Sequence, residues 1–399
     1  MNSIKVFNPE HDMALANGDR HFIAPRKIRE MACDLAPLME FIEGDEILVW
    51  GWDHAIKTCL LRMGIAEERL PTDAALTVLR ACSERQSAHQ LLRAFHADHP
   101  EGPYIGESIL AHALGDIAAY ATLHGHIILK DPLSSSGKGL RHVNFNENIN
   151  RNSVQLGRQA TLLYEANASV VATDAPSASV STSPLEKVEN WANALIRRHG
   201  YLTAEPYYDK VQDFAMEFCI RDGQCRFIGY SLFNTNPHGR YESNLLMEDE
   251  KIESMLARYI PHSALHEVRD WVIAHSHYII PTGWDTTRHP LYFGIDMMVV
   301  NFQFSIFNSQ FRIHPCVEIN LRLNMGIIAH EVRRTLLAPG VEGTFYVTAF
   351  PSEEAACQFC REQTEKYPPV CREGKFVSGY HPLTPIHPHT RHHAYVICG

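Results

Sequence analysis

The chain runs to 399 residues, 45% of them hydrophobic and 21% charged, with a formal net charge of −10. That length exceeds one comfortable core and predicts roughly two to three domains, while the acidic balance and the lack of any Lys/Arg block argue against a phosphate-backbone binder, so no nucleic-acid partner is expected. No apolar stretch reaches the roughly 20 residues that span a bilayer and "MNSIKVFNPEHDMALA" has no basic-then-apolar leader pattern, which predicts a cytoplasmic protein without a membrane partner.

In chain order, strands "IKVF" and "EILVWG" alternate with helices "RKIREMACDLAPLMEFI" and "HAIKTCLLRMG". This βαβα rhythm predicts an α/β fold that begins with a parallel sheet flanked by helices. No G-x-G-x-x-G follows the first strand, so a dinucleotide site is not supported. "NPEHD" (8–12) stands there instead, at the carboxyl end of a strand, where open α/β sheets bind ligands. Asp12 reads as the cap of the helix through "MALA", with His11 and Asp12 as substrate contacts the alternative.

From "HIILKDPLSSSGKGLRHV" (126–143) the pattern is strand, Ser/Gly loop, strand. Residues 144–183 are rich in Asn, Ser and Ala and poor in large apolar groups, which predicts an insertion rather than core. "SPLEKVENWANALIRRHG" (183–200) restores a helix, with Ser183 as N-cap, Pro184 at the first position and Gly200 as terminator. "YLTAEPYY" (201–208) follows as a strand and connection, then strands at 214–220 and 226–233, a helix at 263–279, a strand pair at 291–302 and 313–321, and a helix at 325–337. The last sixty residues read as one helix and two β-like segments.

Ten cysteines are scattered without the dense spacing of a disulfide scaffold, so reduced thiols are expected. Cys357-x-x-Cys360, with Cys371 and His381 downstream, has the outline of a zinc site but lies in a helical run and lacks a second close pair. The histidines around Pro388 read as exposed loop residues.

Chemistry gathers in three places. "SSSGKG" (134–139) can aim backbone N–H groups at an anion, with Lys130 and Lys138 supplying charge, although it departs from the Walker A pattern. "YFGIDMMVV" (292–300) and "VEINLR" (317–322) read as a hairpin that sets Asp296 beside Glu318 and Asn320. In the second strand Glu318, Asn320 and Arg322 alternate with Ile319, Leu321 and Leu323, so three polar groups share one face. Two carboxylates and an amide oxygen suit Mg²⁺, whose octahedral shell is completed by waters and nucleotide phosphates. Elsewhere, "NPHGRYESNLL" (236–246) offers Arg240 and Asn244, on an expected loop, as substrate contacts.

A strand ending in Lys before a Ser/Gly loop, a Glu-led hinge, an Asp on a late strand and a closing E-x-N-x-R together resemble the ATP-grasp superfamily over roughly residues 80–340. The resemblance implies an ATP-grasp fold: an N-terminal parallel-sheet domain (1–112), a lid subdomain (113–204, with the 144–183 insertion), a Mg/ATP subdomain (205–340) and a C-terminal extension (341–399). It implies ATP and Mg²⁺ as cofactors. Lys130 would contact the nucleotide phosphates and act in catalysis with Arg322. Ser135, Ser136, Gly137 and Lys138 would belong to a mobile loop over the phosphates, and Arg85 would take the place of an earlier phosphate lysine. Glu205, Pro206 and Tyr207 would meet the adenine edge, Asp213 the ribose, and Asp296, Glu318 and Asn320 the Mg²⁺ ions. The implied activity is ligation of a small-molecule carboxylate to an amine or other nucleophile through an acyl phosphate, and a homodimer is compatible with it. A small-molecule kinase and a non-catalytic nucleotide binder are the alternatives, and the residues leave the acid and the nucleophile open.

Overall fold

The computed structural model describes residues 3–44, 46–134, 139–145, 162–163, 184–235, 241–302, 310–387 and 389–399. Ser135, Ser136, Gly137, Lys138, Arg240, the Ser183 cap and most of 144–183 lie outside the described residues.

Two short apolar runs, β1 (Ile4–Val6) and β2 (Ile47–Val49), pair in parallel, Ile4 opposite Ile47 and Val6 opposite Val49. Helices α1 (His11–Asn17) and α2 (Arg26–Leu35) intervene, and α3 (His54–Arg62) follows, its first turn capped by the Asp53 carboxylate accepting from the Ile56 N–H at 2.8 Å. The parallel sheet expected from the βαβα rhythm stops at these two strands. The next segments are α4 (Asp73–Cys82) and α5 (Arg85–Asp98), which the sequence reading left unmarked. Their apolar residues recur at helical spacing, Leu76 and Leu79 on one and Ala88, Leu91, Leu92 and Phe95 on the other, and all are buried.

Residues 106–208 cluster as one unit. Here β3 (Ile109–Ala111), α6 (Leu114–His124), β4 (His126–Lys130), β5 (Leu140–Phe145), β6 (Leu162–Leu163), α7 (Pro184–His199) and β7 (Leu202–Pro206) build an antiparallel sheet in the order β3-β7-β4-β5-β6. Its core is Ile127, Leu129, Val143, Leu202 and Ala204 against Ile117 and Ala121 of α6 and Val188 and Ala192 of α7. Helix α7 starts at the expected proline and stops at Gly200, whose φ of 82° a side chain would resist.

The rest of the chain, 1–105 with 209–399, is the other unit. Strands β8 (Lys210–Arg221), β9 (Gln224–Ser231), β10 (Phe233–Thr235) and β11 (Tyr241–Leu246) precede α8 (Asp249–Leu256) and α9 (His262–Ala274). Then come β12 (Leu291–Asn301), β13 (Phe311–Asn320) and α10 (Met325–Leu336). The C-terminal segment holds β14 (Gly343–Ala349), α11 (Glu353–Lys366), β15 (Val370–Arg372), β16 (Lys375–Pro382) and β17 (His392–Cys398), two strands more than expected. One antiparallel sheet runs β13-β12-β8-β9 and another β10-β11-β14-β17-β16-β15, so the C-terminal strands complete a sheet begun by β10 and β11. No helix among the described residues is long and apolar enough to cross a membrane.

Strict alternation divides β12 and β8 into two faces. Phe293, Ile295, Met297 and Val299 on β12, with Phe214, Met216, Phe218 and Ile220 on β8, are fully buried on one face, where Phe218 stacks on Phe293 at 5.0 Å. The other face carries Gly294 and Asp296 beside Asp213, Ala215 and Glu217.

Leu129 is fully buried in the core of the 106–208 unit, and truncating such a leucine costs about 2–5 kcal/mol. Leu129→Ala is therefore expected to speed hydrogen exchange of β4 and β7 while β8 and β12 keep wild-type protection, as read by mass spectrometry of their peptides. Equal loss in all four strands would mean that the two units do not open independently.

Candidate active site

The site grows from the β12–β13 hairpin. Asp296 lies directly opposite Glu318, and Gly294 opposite Asn320. Between Asp296/Glu318 and Met298/His314 the register shifts, because β13 carries two more residues than β12 across the segment that includes Pro315. Proline has no N–H to give a ladder and is tolerated here because β13 is the edge of its sheet. Such bulges re-aim side chains, and this one leaves Glu318 and Asn320 on the face opposite buried Ile319 and Leu321.

Two carboxylates face each other across adjacent strands, an arrangement that repels when both are charged. Burial pushes the Asp296 carboxyl up to about 7, with the Glu318 charge and, less strongly, Asp213 adding to the rise and a hydrogen bond from Asn320 opposing it. Two guanidinium groups answer the charge. Arg85, buried at the start of α5, sets Nη2 3.2 Å from Glu318 Oε1. Arg322 donates both arms of its fork to Asp12, Nε to Oδ1 at 2.9 Å and Nη2 to Oδ2 at 2.8 Å, and Nη2 also reaches Asn320 Oδ1 at 3.1 Å.

That network revises the reading of residues 8–12. Asp12 is inside α1, not at its cap; the residue before the helix is Glu10, which makes no side-chain capping bond. Burial would raise the Asp12 carboxyl, but Arg322 overrides it and holds the group below its ordinary range. His11 turns to Asp53, Nδ1 to Oδ2 at 3.2 Å, with both side chains buried, so it ties α1 to the loop after β2. Asn320, with its oxygen taken by Arg322 and its amide N–H aimed at Asp296, steadies the carboxylate pair as it stands. The donor set that fits a hard divalent cation here is Asp296 with Glu318, whose mutual repulsion such a cation relieves. Asp213 shares this face and pairs with Lys210 at 2.5 Å.

The same face holds a residue that the sequence reading passed over. Glu217 stands opposite Gly294, buried, its Oε2 accepting from Asn324 Nδ2 at 2.6 Å. Burial lifts its carboxyl to about 8, with Asp296 adding to the rise. A Cβ at Gly294 or Gly326 would overlap its carboxyl, so two glycines let the acid lie between β12 and the start of α10. Alternation from Asp213 through Ala215 was the available signal, masked by the apolar run "FAMEFCI". Asn244 is another correction: it sits on β11 rather than a loop, and is buried.

Within 106–208, Lys130 at the end of β4 pairs with Glu205 of β7 at 2.5 Å, both side chains nearly buried. Pro206 ends β7 opposite Ile127, and Tyr207 gives its N–H to the His126 carbonyl at 2.9 Å and stacks on the His126 ring at 4.1 Å. Among the described residues no His, Cys, Asp or Glu group has the compactness of a metal cluster, and Cys360 meets the Tyr380 hydroxyl at 3.1 Å.

No protein-family model matches the chain, and no curated protein does. Solved structures do. The chain is similar to N5-carboxyaminoimidazole synthetase from Staphylococcus aureus complexed with ADP, at 11% identity and a TM-score of 0.47 over 100% of this chain and 87% of that one. It is similar to biotin carboxylase from Campylobacter jejuni, at 13% identity and 0.46 over 99% and 81%. It is also similar to an L-amino acid ligase from Bacillus licheniformis, at 12% identity and 0.43 over 100% and 93%.

The raised acids set a sign for pH dependence. Between the ordinary aspartate value of 3.8 and about 7, the folded chain keeps a proton on Asp296 that the unfolded chain has released. Its stabilising contribution is present at low pH and is lost as pH rises through that window. Asp296→Asn should therefore raise the melting temperature relative to wild type more at pH 8 than at pH 5. Parallel pH profiles for the two proteins would show that Asp296 is not held protonated.

Proposed function

We propose that the chain is an ATP-dependent ligase of ATP-grasp type, which activates a small-molecule carboxylate as an acyl phosphate for attack by an amine or another nucleophile. The observation that carries the reading is the acidic pair itself: Asp296 and Glu318 in direct cross-strand register, backed by Arg85 and Arg322. A fold keeps like charges opposed where a cation or phosphoryl group will use them, since elsewhere the arrangement only costs stability.

In this reading Asp296 and Glu318 hold Mg²⁺, which supplies charge neutralisation at the phosphates when bound. Lys130, fixed by Glu205, meets the nucleotide phosphates, and Arg85 adds a second cation to them. Arg322 is a fixed charge on the acidic face rather than a mobile clamp, because Asp12 occupies its fork. The substrate carboxylate oxygen bonds to the γ-phosphorus as the bond from that phosphorus to the bridging oxygen breaks and ADP leaves. The nucleophile then bonds to the acyl carbon, the carbon–oxygen bond to phosphate breaks, phosphate leaves, and the proton lost by the nucleophile passes to water. Positioning and charge stabilisation carry such a reaction, and no covalent protein intermediate is needed.

Mg²⁺ with ADP should raise the melting temperature by mass action, and Glu318→Gln and Asp296→Asn should each remove most of the Mg²⁺-dependent part. An undiminished shift in both variants would mean that the metal binds elsewhere.

Hydroxylamine incubated with Mg²⁺-ATP and pooled carboxylic acids should give a hydroxamate, ADP and phosphate. Lys130→Ala should slow that reaction by about 10²–10³, the usual effect of deleting one preorganised charge-stabilising donor. AMP with pyrophosphate as products would overturn the acyl-phosphate route. A stable phosphorylated product formed without any amine would assign a kinase, and nucleotide binding without turnover a non-catalytic binder.

A further inference from the structure

Helix α1 has seven residues, too few to be stable by itself, so the direction in which Asp12 points depends on what anchors its neighbours. Successive residues of a helix point about 100° apart, and here His11 turns to one side and Asp12 to another. The His11 ring, 1% exposed, sets Nδ1 3.2 Å from Asp53 Oδ2. A carboxylate only accepts, so Nδ1 carries the proton and donates. Asp53 is itself fixed, its other oxygen accepting from the Ile56 N–H as the cap of α3. The bond therefore joins the first turn of one helix to the first turn of another.

The bed under the ring is shaped for it. A Cβ at Gly51 would lie 2.3 Å from His11 Cγ, so only glycine lets the imidazole settle against the chain there. Asn8, from the same motif as His11, locks that glycine: Nδ2 donates to the Gly51 carbonyl at 2.8 Å, and Oδ1 accepts from the Gly51 N–H at 3.2 Å. Toward the far end of α1, Arg80 Nε donates to the Leu15 carbonyl at 2.6 Å, so loss of the His11 bond frees the first turn to rotate without releasing the helix. What that turn carries is Asp12, which fills the fork of Arg322. Arg322 also feels the charges of Glu318 and Asp296, more weakly than that of Asp12.

We propose that His11 is a positioning residue for the cation site: held by Asp53 over Gly51, it aims Asp12 at Arg322 and so keeps that guanidinium off Asp296 and Glu318. Released by Asp12, the guanidinium turns to those two acids and competes with the cation for their oxygens. The inference rests on the Mg²⁺ role given to Asp296 and Glu318 above, and goes beyond it by assigning residues 8–12 and the loop 51–53 a part in metal affinity. Outer partners of a metal's ligands typically carry about 10–100-fold in affinity, because they decide which charges and orientations the ligands keep. The effect of His11 passes through Asp12 and Arg322, and the test turns on that route.

The experiment measures, on the full chain with ADP present, the Mg²⁺ concentration that gives half of the metal-dependent thermal stabilisation. His11→Leu and Asp12→Asn should each raise that concentration about tenfold or more. Because His11 acts through Asp12, the double variant His11→Leu/Asp12→Asn should need no more Mg²⁺ than the worse of the two single variants, whereas independent effects multiply. His11→Asn, whose amide N–H can stand where the Nδ1–H stands, should restore the wild-type value. Gly51→Ala pushes the ring from its other side and should raise the Mg²⁺ requirement as His11→Leu does; it is the variant to rely on if His11→Leu does not fold. A role confined to holding the fold lowers the melting temperature of these variants without metal and leaves the half-saturating Mg²⁺ at its wild-type value. That outcome, or effects that multiply in the double variant, overturns the inference with the ligase reading intact. Absence of any Mg²⁺-dependent stabilisation in wild type overturns the metal reading, and this inference falls with it.

Discussion

The opposition of Asp296 and Glu318 across β12 and β13 is the constraint around which the larger unit is arranged. Like charges in direct register destabilise a sheet, and burial makes the repulsion stronger than it would be in water. The surroundings read as responses to it. Helix α5 presents Arg85 to Glu318, α1 presents Asp12 to the half-buried Arg322, and Asn320 divides its amide between Arg322 and Asp296. Asp12 and Arg322 lie 310 residues apart in sequence, so this one ion pair ties the first helix to the end of β13. Breaking one side of such a pair is costlier than never having built it, because the remaining charge is left in a low-dielectric setting.

Glu217 shows a second solution to the same problem. Among the described residues no cation pairs with it; hydroxyl and amide groups enclose it instead, with Gly294 and Gly326 allowing the close approach of two backbones. Burial raises this carboxyl to about 8, and it is surrounded by neutral groups where Glu318 on the same sheet face has the Arg85 guanidinium 3.2 Å away. Two acids of one residue type are thereby given different work by their neighbours.

The sequence disclosed this site unevenly, for reasons that follow from range. Alternation along 318–323 and across the hairpin is local, so the polar face of β13 and the neighbourhood of Asp296 and Glu318 could be read directly. The partners of Arg322 could not, since nothing local links Asp12 to residue 322. The local pattern at Asp12 points to a cap, because an acid in a first turn is more often a cap than one half of a long-range pair. Asn244 was read as loop because Gly, Pro and Asn crowd 234–240, while the strand that begins at Tyr241 draws its stability from β14, a hundred residues on. In α5, Gln, Ser and His interrupt the apolar pattern and weaken its helical signal, whereas α4, DAALTVLRAC, carries no such interruption.

Internal pairing has a consequence for binding. Lys130 with Glu205, Arg85 with Glu318 and Arg322 with Asp12 are each satisfied within the chain. A phosphate or metal ion must therefore exchange one charge partner for another rather than fill an empty valence, so its net gain is smaller than a bare count of charges suggests. The exchange also discriminates. A monovalent ion at Glu318 gains little over the guanidinium already there, whereas a divalent ion can satisfy Asp296 and Glu318 together and leave Arg85 to an incoming anion. On the proposed function, charges that are neutralised in pairs would favour ligands that arrive as a pair, a divalent cation with a polyphosphate, over either one alone.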